Sequence, residues 1–189
     1  DEAVNGVDAI TANASHNWQW FYTNNNGREG LFMNLIALGF SLFGISVITL
    51  KMWSVLFGTL TVLGMILLGE ELLASRRAGL IAGFLTATSF WAINFSRIGF
   101  RAIMLPFVLV FTIFFLIRGI QKKKIVDYVL AGAFFGLGLH TYIAFRIAPI
   151  ILVVLLLAFI VVRKRFFATH WKEILAFTAS AVIVALPML

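Results

Sequence analysis

Cysteine is absent from the 189 residues, so neither a disulfide nor a thiolate metal site is open to this chain, and nothing is learned of its redox compartment. Proline is scarce, at three residues, and acid is scarce too, with eight Asp and Glu against fifteen Lys and Arg. The histidines number three, His16, His140 and His170, and their spacing is not that of metal ligands; no metal site and no cofactor is implied. Long polar stretches are missing after residue 30.

What fills the sequence is apolar. Hydrophobic residues make up 61% and the mean hydropathy is +1.00, against about 45–50% apolar residues in an average soluble domain. The excess comes in blocks of about 20 residues, the length needed to cross a hydrocarbon core about 30 Å thick. The expected fold class is therefore all-α, a polytopic transmembrane helical bundle with about six spans. They are read at 52–71, 79–96, 101–118, 126–144, 147–162 and 173–189. The closing "VIVALPML" stops inside an apolar run, so a piece of a longer protein, cut at both ends, is expected.

A net charge of +7 in a soluble chain would suggest nucleic acid. Here the cations sit in short clusters between apolar blocks: Arg76 and Arg77, then Arg118 with Lys122 to Lys124, then Arg163 to Arg165. They fall in every second connection, which puts them on one side; by the positive-inside rule that side is cytoplasmic, and no nucleic-acid partner is expected. Three regions follow. Residues 1–30 form the first extracytoplasmic loop or a short interfacial helix, 31–51 an interfacial or re-entrant segment too short to span, and 52–189 the bundle.

That orientation turns one group of charges outward. Asp1, Glu2 and Asp8 are three of the eight acids and stand in the first eight positions. They share a face with Arg97, Arg101 and Arg146. Arginine at a membrane boundary commonly snorkels to headgroups, and an acidic loop is commonly just solvated. Three outward arginines plus Lys51 nevertheless oppose the positive-inside bias, and a bound phosphate would explain them, since guanidinium pairs bidentately with phosphate oxygens. A carboxylate beside a cationic phosphate cradle can take a proton from an attacking hydroxyl, while the cations stabilise the departing phosphate. That is the chemistry of glycosyl transfer from a lipid-linked sugar phosphate.

Further residues could contact substrate. "GREG" sets Arg28 and Glu29 side by side, a solvated pair or a reach toward a headgroup. "WQWFY" (Trp18, Trp20, Phe21, Tyr22) is an interfacial aromatic belt or a stacking wall for a sugar. His140 and Tyr142 lie near the outward end of their span. Glu70 and Glu71 are explained by local pairing with Arg76 and Arg77. Asn13 and Asn94 fit the weak three-residue glycosylation pattern. Gly79 with Gly83, and Gly132 with Gly136, have the four-residue spacing of close helix packing.

"DEA…GVDA" followed by "NNGREGLFMNLIALGFSLFGIS", and then the run from "LKMWSVLFGTL" to "FSRIGFR", resembles the GT-C glycosyltransferases. The resemblance is to the protein O-mannosyltransferase and aminoarabinose-transferase-like branch (glycosyltransferase 39 type), over roughly residues 1–146. It implies a polyprenyl-phosphate-sugar donor entering from the membrane lipid, an extracytoplasmic active site in a multi-pass protein of a prokaryotic plasma membrane, and an acid of the first loop as catalytic base. Asp1 matches that acid, with Glu2 beside it. Arg97, Arg101, Arg28 and Arg146 are the expected donor-phosphate ligands; Asp8, Glu29, Lys51, His140 and Tyr142 are possible substrate contacts. The expected reaction is an inverting, carboxylate-assisted transfer of a hexosyl or pentosyl group to a hydroxyl on an unknown protein, lipid or glycan acceptor. The chain departs from the family where Arg28-Glu29-Gly30 replaces Lys-Pro-Pro or His-Pro-Pro, at Lys51 in place of Arg, and at Trp53 in place of Pro. A transporter or flippase of lipid-linked sugars is the alternative, and a membrane scaffold a third class.

Overall fold

The computed structural model of the chain describes residues 2–23, 27–154 and 166–188. A helix α1 (Glu2–Ser15) leads to a two-stranded antiparallel ribbon, β1 (Phe21–Tyr22) and β2 (Arg28–Glu29), which pairs Phe21 with Glu29 and Tyr22 with Arg28. The segment read as loop or short helix thus holds a 14-residue helix and, after it, a loop closed by a ribbon. Next come α2 (Leu31–Phe43), α3 (Val47–Leu73), α4 (Arg76–Ala87), α5 (Phe90–Arg97), α6 (Met104–Lys122) and α7 (Ile125–Gly138). A 3-10 turn, Arg101–Ile103, opens α6; an apolar helix Ile143–Val154, whose first turns are 3-10, follows α7; and α8 (Phe166–Ala185) closes the described part.

Local sequence sets these boundaries. Gly44 adopts φ 82° and ends α2, its N–H donating to Phe40 O at 3.0 Å. Ser46 then caps α3, its Oγ accepting from Thr49 N at 3.1 Å. Ala74 in the left-handed conformation ends α3, and Ser75 caps α4 through Ala78 N at 3.4 Å. Pro106 falls in the first turn of α6, where its missing N–H leaves no helical bond unmade.

Among the described residues three helices are long and apolar enough to cross a membrane: Val47–Leu73, Arg101–Lys122 and His170–Met188. The 27 residues of α3 measure about 40 Å at about 1.5 Å per residue. A fourth span is available if α4 and α5, bent by 58° at Thr88–Ser89, count together. The expectation of an unbroken span at 79–96 is therefore corrected: the stretch is a bent helix pair, the form of a broken span or of a re-entrant loop. The expected span 126–144 is corrected too: α7 has 14 residues, about 21 Å, and turns over after Gly138. The expected span 147–162 begins in the helix that reaches Val154, and its remainder lies outside the described residues. Across the bundle the helices are joined by glycine. A Cβ on Gly83 would meet the Ile66 side chain, and one on Gly132 or Gly136 would meet the backbone carbonyls of Phe177 or Ala181. The spacing of small residues does mark close packing, α4 on α3 and α7 on α8. Between α6 and α7 the contact is aromatic, with Phe111 and Phe134 stacked at 5.1 Å.

One end of the bundle gathers Glu70, Glu71, Arg76, Arg77 and Lys122–Lys124. Lys122 Nζ lies 3.3 Å from Glu71, and Arg118 Nε lies 3.5 Å from the buried Asp127. Glu71 thus pairs across to α6 rather than with the neighbouring Arg76 and Arg77. Two of the three basic clusters share this end, as the alternation of connections requires; Arg163 to Arg165 lie outside the described residues. The other end carries α1, the ribbon and α2.

Replacing Gly132 by Ala should lower stability by roughly 1–3 kcal/mol, because the backbone carbonyl of Phe177 cannot yield as a side chain does. Thermal unfolding in detergent reads this directly. A melting temperature equal to that of the unaltered protein would rule out the close α7–α8 approach.

Candidate functional site

The site is built at the end where α3, α6 and α7–α8 open toward the first thirty residues. Helix α1 buries Asn5, Asp8, Ala9 and Ala12, a stripe of helical period. The small residues allow α1 to lie close, and the two polar ones need partners. They find Arg28. Arg28 Nη1 donates to Asn5 Oδ1 at 2.7 Å, Nη2 pairs with Asp8, and the Asn5 Nδ2 donates to the Gly99 carbonyl at 2.9 Å. Arg28 and Asp8 are 2% and 4% exposed, so this pair is internal. Asn5 ties α1 to the turn between Arg97 and Arg101.

Glu2 lies at the start of α1, 3.2 Å from Lys51 Nζ. Both are about one third exposed. Lys51 belongs to the second turn of α3, not to a connection, because α3 begins at Val47. A Cβ on Gly99 would lie 3.3 Å from Glu2 Cγ and would collide with Leu50, so glycine lets this turn reach the carboxylate. Asp1 lies outside the described residues.

A second group stands next to the first, since Arg28 and Glu29 are consecutive in β2. Glu29, 2% exposed, accepts from Arg101 Nη1 at 2.7 Å and lies 3.6 Å from Arg146 Nη2. Arg101 also sits over the Tyr142 ring, 5.3 Å from its centroid. Arg97 is exposed and has no ion pair among the described residues. His140 is buried; its Nε2 lies 2.8 Å from Val184 O in α8, and Trp20 meets its ring edge-on at 5.9 Å. Trp18, Trp20 and Phe21 are exposed. Tyr22 is buried, donates to Asn34 Oδ1 at 2.8 Å, and has its phenol pushed above the ordinary value by burial, with the nearby Asp8 charge acting the same way.

The structure thus brings together Glu2, Asp8, Arg28, Glu29, Lys51, Arg101, Tyr142 and Arg146 at one end, and sets His140 beside them through Trp20. Arg28 differs in kind from its expected role. Two of its nitrogens are given to Asn5 and Asp8, and its Nε is buried without a hydrogen bond, so its place is that of an internal brace rather than an open phosphate ligand. Glu29 is likewise no solvated partner of its neighbour Arg28; it turns to the bundle. Sequence reading missed Asn5, though its position three residues before Asp8 on a helical face was the available signal. Asn34, which donates to Gln19 O at 2.9 Å, was also missed.

Removing one member of the buried pair leaves the other charged and unpaired. Asp8→Asn should destabilise the docked first segment by about 3–5 kcal/mol. Limited proteolysis between residues 16 and 27 measures it, and an unchanged cleavage rate would mean that the pair does not hold α1 in place.

Residues 31–189 match the family described as dolichyl-phosphate-mannose-protein mannosyltransferase. Helix α1 and the ribbon precede the matched range. No match is found among curated proteins or among solved structures. The matched range begins at α2 and takes in most of the chain, which therefore belongs to this family of membrane glycosyltransferases that draw their sugar from a polyprenyl-phosphate carrier.

Proposed function

We propose that the protein moves a sugar from a polyprenyl-phosphate donor to an acceptor hydroxyl on the extracytoplasmic face, in one inverting displacement with Asp1 as the base. The observation that carries this reading is the convergence, at one end of the bundle, of the first-segment acids with Lys51, Arg101 and Arg146. Arg97 and Arg101 flank the turn that Asn5 grips, so both guanidinium groups are carried on a backbone tied to α1.

In the proposed step the Asp1 carboxylate accepts the hydroxyl proton as the acceptor oxygen bonds to the anomeric carbon. The bond from that carbon to the phosphate oxygen breaks on the opposite side, and the electron pair leaves with the polyprenyl phosphate. Arg97, Arg101 and Arg146 meet the charge that develops there. Lys51 holds Glu2, the residue next to the base. The membrane delivers the lipid chain, so much of the positioning entropy is removed before chemistry. Arg28 keeps the loop folded. A sugar carrier that makes no bonds is the less favoured reading: the α4–α5 break at Thr88–Ser89 is a feature it would share, but α3 and α6 have no charged residue between Lys51 and Glu70 or between Arg101 and Arg118, and the acids of the site stand on the first segment and ribbon.

The test uses the full-length protein in membranes and a panel of radiolabelled polyprenyl-phosphate sugars, mannose first, following loss of label from the lipid. Asp1→Asn should reduce transfer by at least about 100-fold, the scale of general-base catalysis. An unchanged rate would remove Asp1 from the mechanism. Donor binding without turnover in the unaltered protein would favour the carrier.

A further inference from the structure

Glu29 faces two arginines, and it holds them differently. Arg101 Nη1 donates to Glu29 Oε2 at 2.7 Å, and the Arg101 side chain is only 12% exposed. Tyr142 holds the same guanidinium from above its ring. Arg146 Nη2 stands 3.6 Å from Oε1, beyond hydrogen-bond distance, and 56% of its side chain is exposed. One arginine is fixed and the other is loosely retained by the same buried carboxylate.

We propose that Glu29 is a positioning residue that serves as a built-in counter-anion: it fixes Arg101 and competes with the lipid phosphate for Arg146, which eases release of the polyprenyl-phosphate product. The inference rests on the function proposed above and adds a role for a residue of the same site. Charge supplies the reason. The donor phosphate is a diester with one negative charge. The product is a monoester, which carries about 1.5 to 2 negative charges at neutral pH. A set of arginines that holds the donor holds the product more tightly, and turnover then stalls on release. A fixed carboxylate repels each phosphate in proportion to its charge, so Glu29 weakens the product more than the donor. As the phosphate departs, Arg146 returns to Glu29 and is not left without an anion.

Equilibrium binding in nanodiscs tests this, with polyprenyl phosphate as the product and its methyl ester as a singly charged probe. Glu29→Gln keeps an oxygen for Arg101 and removes the charge. It should bind polyprenyl phosphate roughly threefold to tenfold more tightly, with a smaller gain for the methyl ester. In an Arg146→Gln background the same change should give a smaller gain, because only the direct repulsion is then relieved; an undiminished gain overturns the competition for Arg146. A residue that only supports the fold would weaken both probes alike, and equal, absent or opposite changes overturn the proposal. Should Glu29→Gln fail to fold, Glu29→Asp carries the test: it keeps the charge but withdraws it from Arg146, so it should raise affinity for polyprenyl phosphate more than for the ester, and equal or absent changes overturn the idea. If the unaltered protein binds neither probe, the proposed function falls with it; if it transfers sugar while the probes respond alike, only the role of Glu29 falls.

Discussion

A buried guanidinium sets the terms for this end of the molecule. Arg28 lies inside the protein, where an uncompensated charge costs several kcal/mol, so it is stable there only with anionic and polar partners in place. Those partners, Asp8 and Asn5, are on α1, and Arg28 is on the ribbon. Satisfying one charge therefore fixes two elements whose larger apolar side chains, Val7, Ile10 and Phe21, point away from the core. Asn5 passes the constraint on through its bond to Gly99, into the turn that carries Arg97 and Arg101. A single chain of polar contacts thus links the first helix, the ribbon and the bundle.

The rest of the structure meets a different requirement. Inside a membrane no water is present to satisfy backbone groups, so helices are the available form, and the hydrophobic effect gives no reason for one helix to hold another. Close contact does that work. Gly79, Gly132 and Gly136 bring backbones to carbonyl distance, Gly83 leaves room for the Ile66 side chain, and phenylalanine fills the wider seam between α6 and α7. These contacts place the ends of α3, α6 and α7 relative to one another, and the site is made of residues at those ends. A charge pattern that the loops hold together needs helix termini that do not drift.

The sequence made the helices legible because hydropathy reports the solvent around them, and the basic clusters made the grouping of connections legible. The broken pair α4–α5 was not, since Thr88 and Ser89 are small polar residues that hydropathy averages over. The length of α7 was misread because Leu139, Tyr142 and Ile143 remain apolar after the helix has ended at Gly138. In the site, residue type announced Glu2, Arg101 and Arg146, but not who pairs with whom. Arg28 and Glu29 are neighbours of opposite charge, and sequence favours their mutual pairing. Their side chains alternate across a strand and point to different faces, so one meets α1 and the other meets Arg101. Only the tertiary arrangement contains that information. Asp1 is read from the sequence and the resemblance alone.

The division of charge between loop and helix ends has a physical logic for a lipid substrate. Acid placed on a membrane helix would be costly and would repel the phosphate on its way along the bilayer. Arginine at helix ends can snorkel, its stem among apolar groups and its head at the boundary where a phosphate travels. Carboxylates kept on a separate, soluble-like segment are then brought in only as far as the pairing allows: Asp8 enclosed by Arg28, Glu29 enclosed by Arg101, and Glu2 partly open beside Lys51. Two of the three acids are neutralised by fixed cations. The third, Glu2, adjacent to Asp1 in sequence, is left about one third exposed with Lys51 as its partner, at the open edge of the same end of the bundle.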